Sequence, residues 1–251
     1  MRCPNCNFEQ ADLNTECPRC GIVFKKFQNW QNPAPRRRGD SEIKRGTPFR
    51  VIASLHEWVL HVEAETNPLY FGGRVLVFLI LLAWGWKFIF APMKANAPGT
   101  SFLHLVNLPF HEAGHLFFQI FGQWLGSLGG TLGQLIVPSV CLLVLLLKTR
   151  DPFGASVALW WLGESFMDIA PYINDARSQE LMLLGGVTGK EAGYGYHDWA
   201  FILNEVGLLR WDHTLAHMAH NFGILLMLIT FTWAGVLIYR QYQNLHLRSK
   251  A

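Results

Sequence analysis

The sequence predicts an all-α polytopic membrane protein of about five membrane helices, preceded by a small zinc ribbon. Three observations carry that prediction. Only 16% of the 251 residues are charged while 51% are hydrophobic, against the roughly 25% charge of ordinary soluble domains. Long apolar stretches recur through residues 68–239. Four of the five cysteines fall within the first twenty residues, as two CxxC pairs. Charge follows the same division: residues 1–50 hold ten Lys/Arg against five Asp/Glu, and the remainder eleven against thirteen. The composition argues against a disordered chain, a nucleic-acid-coating protein and a plain soluble enzyme.

The head, residues 1–27, carries Cys3, Cys6, Cys17 and Cys20. No apolar signal segment opens the chain, so a cytoplasmic amino terminus is expected, where thiols stay reduced and CxxC pairs bind metal. Four thiolates in two knuckles satisfy tetrahedral Zn2+, and a module this small is stable only with metal. Both knuckles contain proline and the second is followed by Gly21; the pattern resembles a zinc-ribbon module. Acids mixed among the bases leave no clean phosphate-binding stripe. A protein partner for this head is expected in preference to nucleic acid.

Residues 28–50 hold three prolines and a basic run that includes Arg36, Arg37 and Arg38, which reads as a linker. Residues 51–65 place Val51, Leu55, Trp58, Val59 and Val62 on one helical face, suited to a membrane surface or to packing on the body.

The multi-pass membrane domain is expected over 51–251. Residues 75–91 form an apolar run broken only by Lys87, whose ammonium can snorkel to an interface. Residues 116–147 contain no Asp, Glu, Lys or Arg. As one helix they would reach about 48 Å, beyond a ~30 Å hydrocarbon core. GSLGG at 126–130 is the expected break, giving helices near 102–124 and 129–147. Asp151-Pro152 reads as an N-cap with proline in the first turn, opening a helix that runs to Pro171. The last apolar run spans 214–239. Glycines four apart, Gly122/Gly126/Gly130 and Gly129/Gly133, form ladders that let membrane helices approach closely. Basic residues before the first helix place the head in the cytoplasm. Lys148, Arg150 and the Arg240/Arg248/Lys249 tail favour that side too. Strict alternation over five spans cannot satisfy all of them, so either one segment is re-entrant or the weaker loops yield.

The chemistry concentrates in His111-Glu112-Ala113-Gly114-His115. Residues four apart share a helix face, so two imidazoles can hold one Zn2+, with Glu112 beside them to take a proton from a water that the metal activates. A charged Glu at membrane depth costs at least ~2.5 kcal/mol, so ionisable residues retained there are functional candidates.

HEAGH in an apolar helix, a Gly-rich helix after it, and an apolar helix ending in a Pro…Asp motif resemble the site-2 protease family over roughly residues 101–177. That resemblance implies an intramembrane zinc metalloprotease with a three-helix core, cleaving membrane-embedded or membrane-adjacent segments of membrane proteins. It implies His111 and His115 as zinc ligands, Glu112 as general base, and Asp175, followed here by Ala176, at the third-ligand position. Gln134 stands where the family often has a substrate-holding Asn. The spacing of Glu164, Asp168 and Asp175 puts all three on one face of a continued helix, so Asp168, which sits deeper, is the alternative ligand. Two zinc ions are therefore expected, one catalytic and one structural.

Asp212, His213, His217 and His220 form a third cluster, its histidines on one helical face. Together with His111 and His115 they resemble the His boxes of membrane di-iron oxygenases and desaturases, although the adjacent HH pair usual there is missing. Interfacial hydrogen bonding is the competing reading. A catalytically silent membrane adaptor, docking partners through its ribbon, is the remaining alternative. His197-Asp198-Trp199 reads as a loop motif, and Cys141 as a small core residue.

Overall fold

The computed structural model describes residues 1–12, 14–24, 58–63 and 67–248, with side chains up to 245. The expected linker at 28–50 lies outside the described residues, as does most of the amphipathic segment at 51–65. The chain divides into two compact units, Met1–Val51 and Ile52–Ala251. Among the described residues there is no β-strand, only isolated bridges.

The first unit is built from two matching knuckles. Asn7 N–H donates to Cys3 O (2.9 Å) and Gly21 N–H to Cys17 O (2.8 Å). Asn7 and Gly21, each directly after the second cysteine of its pair, have φ of 56° and 69°. That left-handed turn suits glycine and is tolerated by asparagine. The bridges Arg2↔Glu9 and Glu16↔Val23 close the knuckles.

The second unit is helical. Helix α1 (Pro68–Phe90) starts where the Asn67 side chain accepts from Leu69 N–H (2.8 Å) and Pro68 occupies the first turn, and it ends at extended Ala91, ahead of Pro92. Helix α2 (Phe102–Phe118) carries the HEAGH motif and tightens into a 3-10 turn at Gln119–Phe121. Helix α3 (Gln123–Leu143) continues as a π turn over Val144–Lys148. The break falls at Gly122, with φ 105°, and not at GSLGG, which lies inside α3. Gly122 has the backbone freedom to reverse the chain; the glycines at 126–130 serve as a packing surface.

That surface decides the geometry of the centre. A Cβ on Gly114 would lie 2.1 Å from Gly129 O, and one on Gly133 would lie 2.2 Å from Phe110 O. Helices α2 and α3 therefore touch backbone to backbone, the close approach expected of a small-residue ladder.

Helix α4 (Pro152–Asn174) is the most buried of the long helices. Asp151 stands at its N-cap position but makes no cap bond; its carboxylate pairs instead with Arg74 (3.2 Å). The helix carries through Pro171 to Asn174. A one-turn α5 (Gly189–Ala192) and α6 (Asp198–Glu205) follow. Helix α7 (Asp212–Arg248) runs 37 residues along α4, and α1 packs against it. Phe88, Trp160, Met167 and Met227 form the core between these three. The described segment 58–63 lies on the same body: Val59 O accepts from Trp233 Nε1 (2.8 Å) and Leu60 O from Arg240 (3.0 Å).

Among the described residues, three helices are long and apolar enough to cross a membrane: Pro68–Phe90, Gln123–Lys148 and Leu209–Leu245. Their outward faces expose Leu76, Leu79, Ile80, Ile136, Val140, Leu225 and Ile229, as lipid contact requires. Helices α2 and α4 fall short of that measure. Helix α2 has 17 residues, and both carry the polar side chains of the centre described next.

Candidate metal centre

Among the described residues, two groups of side chains could hold a metal ion. In the first unit, Cys3, Cys6, Cys17 and Cys20 bring their sulfurs within 4.8 Å of one another, with Cys3–Cys20 and Cys6–Cys17 both at 3.7 Å. A backbone hydrogen bond from Ile22 outweighs desolvation and, with Asn5 and the sulfurs of Cys6 and Cys17, brings Cys20 down to about 6. At Cys6 the bond from Phe8 favours the thiolate, but desolvation and the three surrounding sulfurs push the thiol up to about 12.

In the second unit, the ligand atoms of His111, Glu112 and His115 also lie within 4.8 Å of one another. Helical spacing sets the two rings side by side, their centroids 4.8 Å apart. Their Nδ1 atoms face away from each other: His111 Nδ1 lies 3.3 Å from Gln134 Oε1, and His115 Nδ1 lies 2.8 Å from Gly126 O. An amide oxygen and a carbonyl oxygen only accept, so each Nδ1 carries a hydrogen. The Nε2 atoms turn the other way and converge on one oxygen, Asp198 Oδ2, at 3.4 Å and 3.3 Å.

Two nitrogens aimed at one carboxylate oxygen need positive charge between them. Either both rings are protonated and repel across 4.8 Å, or a single cation occupies the point of convergence. Space is reserved there, since a Cβ on Gly130 would lie 2.4 Å from His111 Nε2 and 2.5 Å from His115 Nε2. The donor set, two imidazoles and one carboxylate, is one that zinc accepts.

Asp198 is fixed by its own surroundings. It opens α6 directly after His197, whose Nδ1 accepts from Ala200 N–H (3.2 Å) as the helix cap. Trp199 Nε1 donates to Thr131 Oγ1 (3.2 Å) and Trp124 Nε1 to Ile202 O (3.3 Å), pinning α6 to α3. Tyr172 on α4 donates its hydroxyl to Asp198 Oδ2 (3.2 Å) and accepts from Asp198 N–H (3.0 Å). Burial works to raise the Asp198 carboxyl, but hydrogen bonds from His111 and His115 override it and hold it below the ordinary carboxylate range.

The expected third ligand, Asp175, is not brought to the histidine pair. Its carboxylate accepts from Ser178 Oγ (2.5 Å), Glu180 N–H (3.0 Å) and Leu181 N–H (2.9 Å), and lies 3.3 Å from His197 Nε2. Helix α4 ends at this point, so Asp175 caps the turn and ties both ends of the 176–197 loop. The alternative, Asp168, does not reach the Nε2 atoms either. It accepts from Gln134 Nε2 (2.8 Å), Asn107 Nδ2 (3.1 Å) and His104 Nδ1 (3.0 Å). Gln134 thus sits between Asp168 and His111. The segment His197-Asp198-Trp199, expected as a loop motif, instead caps and opens α6, and the sequence marked Asp198 only as an acid in a stretch with no Lys or Arg between Lys190 and Arg210. Nothing local revealed which histidines it meets.

A cavity of about 730 Å3 opens over the centre. Glu112 lies on its wall and is exposed, beside the histidines. Apolar lining is supplied by the 181–187 turn, in which Leu183 N–H donates to Val187 O (2.9 Å), and by Tyr196. The cluster at the start of α7 does not join the centre. His213 Nδ1 lies 2.8 Å from Asn174 Oδ1, His217 is exposed and His220 is buried. Among the described residues these three histidines form no metal-holding group. Cys141, in α3, is a half-buried free thiol.

Comparison with protein-family models, with curated proteins and with solved structures finds no match to this chain in any of the three.

Proposed function

We propose that this chain is a membrane-embedded zinc metallopeptidase acting on segments of membrane proteins in or near the bilayer. The observation that carries the reading is the convergence of His111 Nε2 and His115 Nε2 on Asp198 Oδ2 above the space left by Gly130. In this reading His111, His115 and Asp198 hold the zinc. Zinc bound there supplies a Lewis acid that polarises a peptide carbonyl and lowers the pKa of a water toward about 7. Glu112 faces the cavity from the same helix. It takes the proton of the attacking water and delivers it to the leaving amine. Tyr172, already bonded to Asp198, keeps that carboxylate turned to the histidines. The apolar cavity wall at 181–187 suits a hydrophobic segment.

The wider architecture belongs to the same proposal. Helices α2 and α4 complete five spans, their polar side chains turned inward around the centre. The first unit is a zinc ribbon that docks a protein partner in the cytoplasm. The same two-histidine, one-carboxylate set also suits non-haem iron. Glu112 at the open face favours hydrolysis, and metal identity separates the two readings.

Glu112→Gln tests the function. Purified full-length protein in detergent is mixed with synthetic single-span peptides, and products are read by mass spectrometry. The variant is expected to lose roughly 10²–10⁴-fold in rate with its zinc content unchanged. Undiminished cleavage overturns the mechanism. A wild-type chain that holds zinc yet cleaves no peptide points instead to an adaptor.

A further inference from the structure

A chain of one-way hydrogen bonds runs from the core of the second unit to the centre. It begins at Trp161, whose indole N–H can only donate and does so to Asn107 Oδ1 (2.7 Å). That contact fixes the Asn107 amide, whose NH2 then points at two carboxylates, Glu164 Oε2 (2.9 Å) and Asp168 Oδ2 (3.1 Å). His104 adds a further contact to Asp168, which is 7% exposed. An ionised carboxylate only accepts. Of the two ends of the Gln134 amide, only the NH2 can face Asp168, as it does at 2.8 Å. The amide oxygen is thereby turned to His111 Nδ1, at 3.3 Å.

We propose that Asp168 is a positioning residue that acts through Gln134, holding His111 with hydrogen on Nδ1 and the Nε2 lone pair free for the metal. The proposal rests on the metal reading above and gives Asp168 and Gln134 roles other than ligand or substrate clamp. Without Asp168 the Gln134 amide is free to turn over. Its NH2 would then meet His111 Nδ1, favour hydrogen on Nε2, and close the site to the cation. His115 needs no such relay, because its Nδ1 is held by a backbone carbonyl that cannot turn over.

The test is a loss and a designed rescue, read as zinc affinity of the full-length protein against a competing chelator. Asp168→Ala is expected to weaken the second-unit site by roughly 10–100-fold, the range for partners behind a metal ligand, with the four-cysteine site unaffected. Adding Gln134→Glu to that variant is expected to recover most of the loss, because a carboxylate offers an acceptor to His111 Nδ1 whichever way it turns. A merely structural role for Asp168 predicts no such rescue. Unchanged affinity in Asp168→Ala, or a double variant that binds no better than the single one, overturns the proposal. Should Asp168→Ala not fold, Gln134→Leu carries the test: it strips the acceptor from His111 and leaves Asp168 with His104 and Asn107. Retained affinity in that variant is equally fatal. A wild-type chain that binds one zinc, with His111→Asn leaving that count unchanged, removes the metal reading and the relay with it. Two zincs in wild type and undiminished binding in Asp168→Ala remove the relay alone.

Discussion

The two metal-holding groups are assembled in opposite ways. In the first unit all four sulfurs come from residues 3–20, and each pair of ligands is set by one turn of backbone closed by Asn7 or Gly21. In the second, one turn of α2 supplies two imidazoles, while the carboxylate they share arrives from 87 residues after His111. The four-cysteine group is thus a product of local chain geometry. The histidine centre exists only if α2, α3, α4 and α6 are all in place. A metal bound at the first site would therefore be coupled to folding of its short ligand segment, whereas the second group is assembled by helix packing alone.

The largest expected effect comes from removing the distant ligand. Asp198→Ala should abolish zinc at the second unit, a loss beyond the roughly 10–100-fold of outer-shell changes, and leave one zinc per chain. Asp175→Ala should retain that zinc, since Asp175 holds the 176–197 loop. Equal losses in the two variants, measured by metal content after dialysis, would break the assignment of Asp198.

Filling the reserved space should do nearly as much. Gly130→Ala puts a methyl group 2.4 Å from His111 Nε2, so the imidazole or the α2–α3 contact must give way, at about 1–3 kcal/mol for overpacking. Zinc at the second unit is expected to fall with little change at the four-cysteine group. Full retention of both metals would show that the Nε2 atoms do not mark the cation's position.

The smallest effect sharpens the contrast through protons. With Cys20 brought down to about 6 and Cys6 pushed up to about 12, a metal arriving at neutral pH meets a thiolate at Cys20 and must displace a proton from Cys6. Binding at the first unit should therefore release protons, measurable by calorimetry in buffers of different ionisation enthalpy. Affinity there should fall as pH drops through about 6, where Cys20 also takes a proton. A pH-independent affinity would contradict the thiolate assignment.

Much of this was legible without coordinates. The HEAGH spacing brings two imidazoles together because i and i+4 share a helix face, and the CxxC pairs bring four sulfurs together, two groups that could hold a metal ion. The glycine ladder announced a close helix contact, and the structure supplies one at Gly114, Gly129 and Gly133. Other readings were displaced for identifiable reasons. GSLGG looked like a break because glycine disfavours helix in water, yet between closely packed helices its lack of a side chain serves packing. Asp175 followed a proline in the expected register, but α4 ends there and the carboxylate turns back to cap its own loop. Asp198 had only the weak mark of an acid in a stretch without bases.

By itself, then, the sequence determined what short-range geometry controls: the four-cysteine group, the paired imidazoles with Glu112, and the apolar helices. Only the tertiary structure decided which carboxylate meets the paired imidazoles, where the chain reverses before α3, and that Asp168 and Gln134 stand behind His111. The reason is physical. A helix turn fixes neighbours within about four residues, whereas Asp198 reaches its place through α6, held to α3 by Trp124 and Trp199. No periodicity along the chain encodes a contact made across 87 residues.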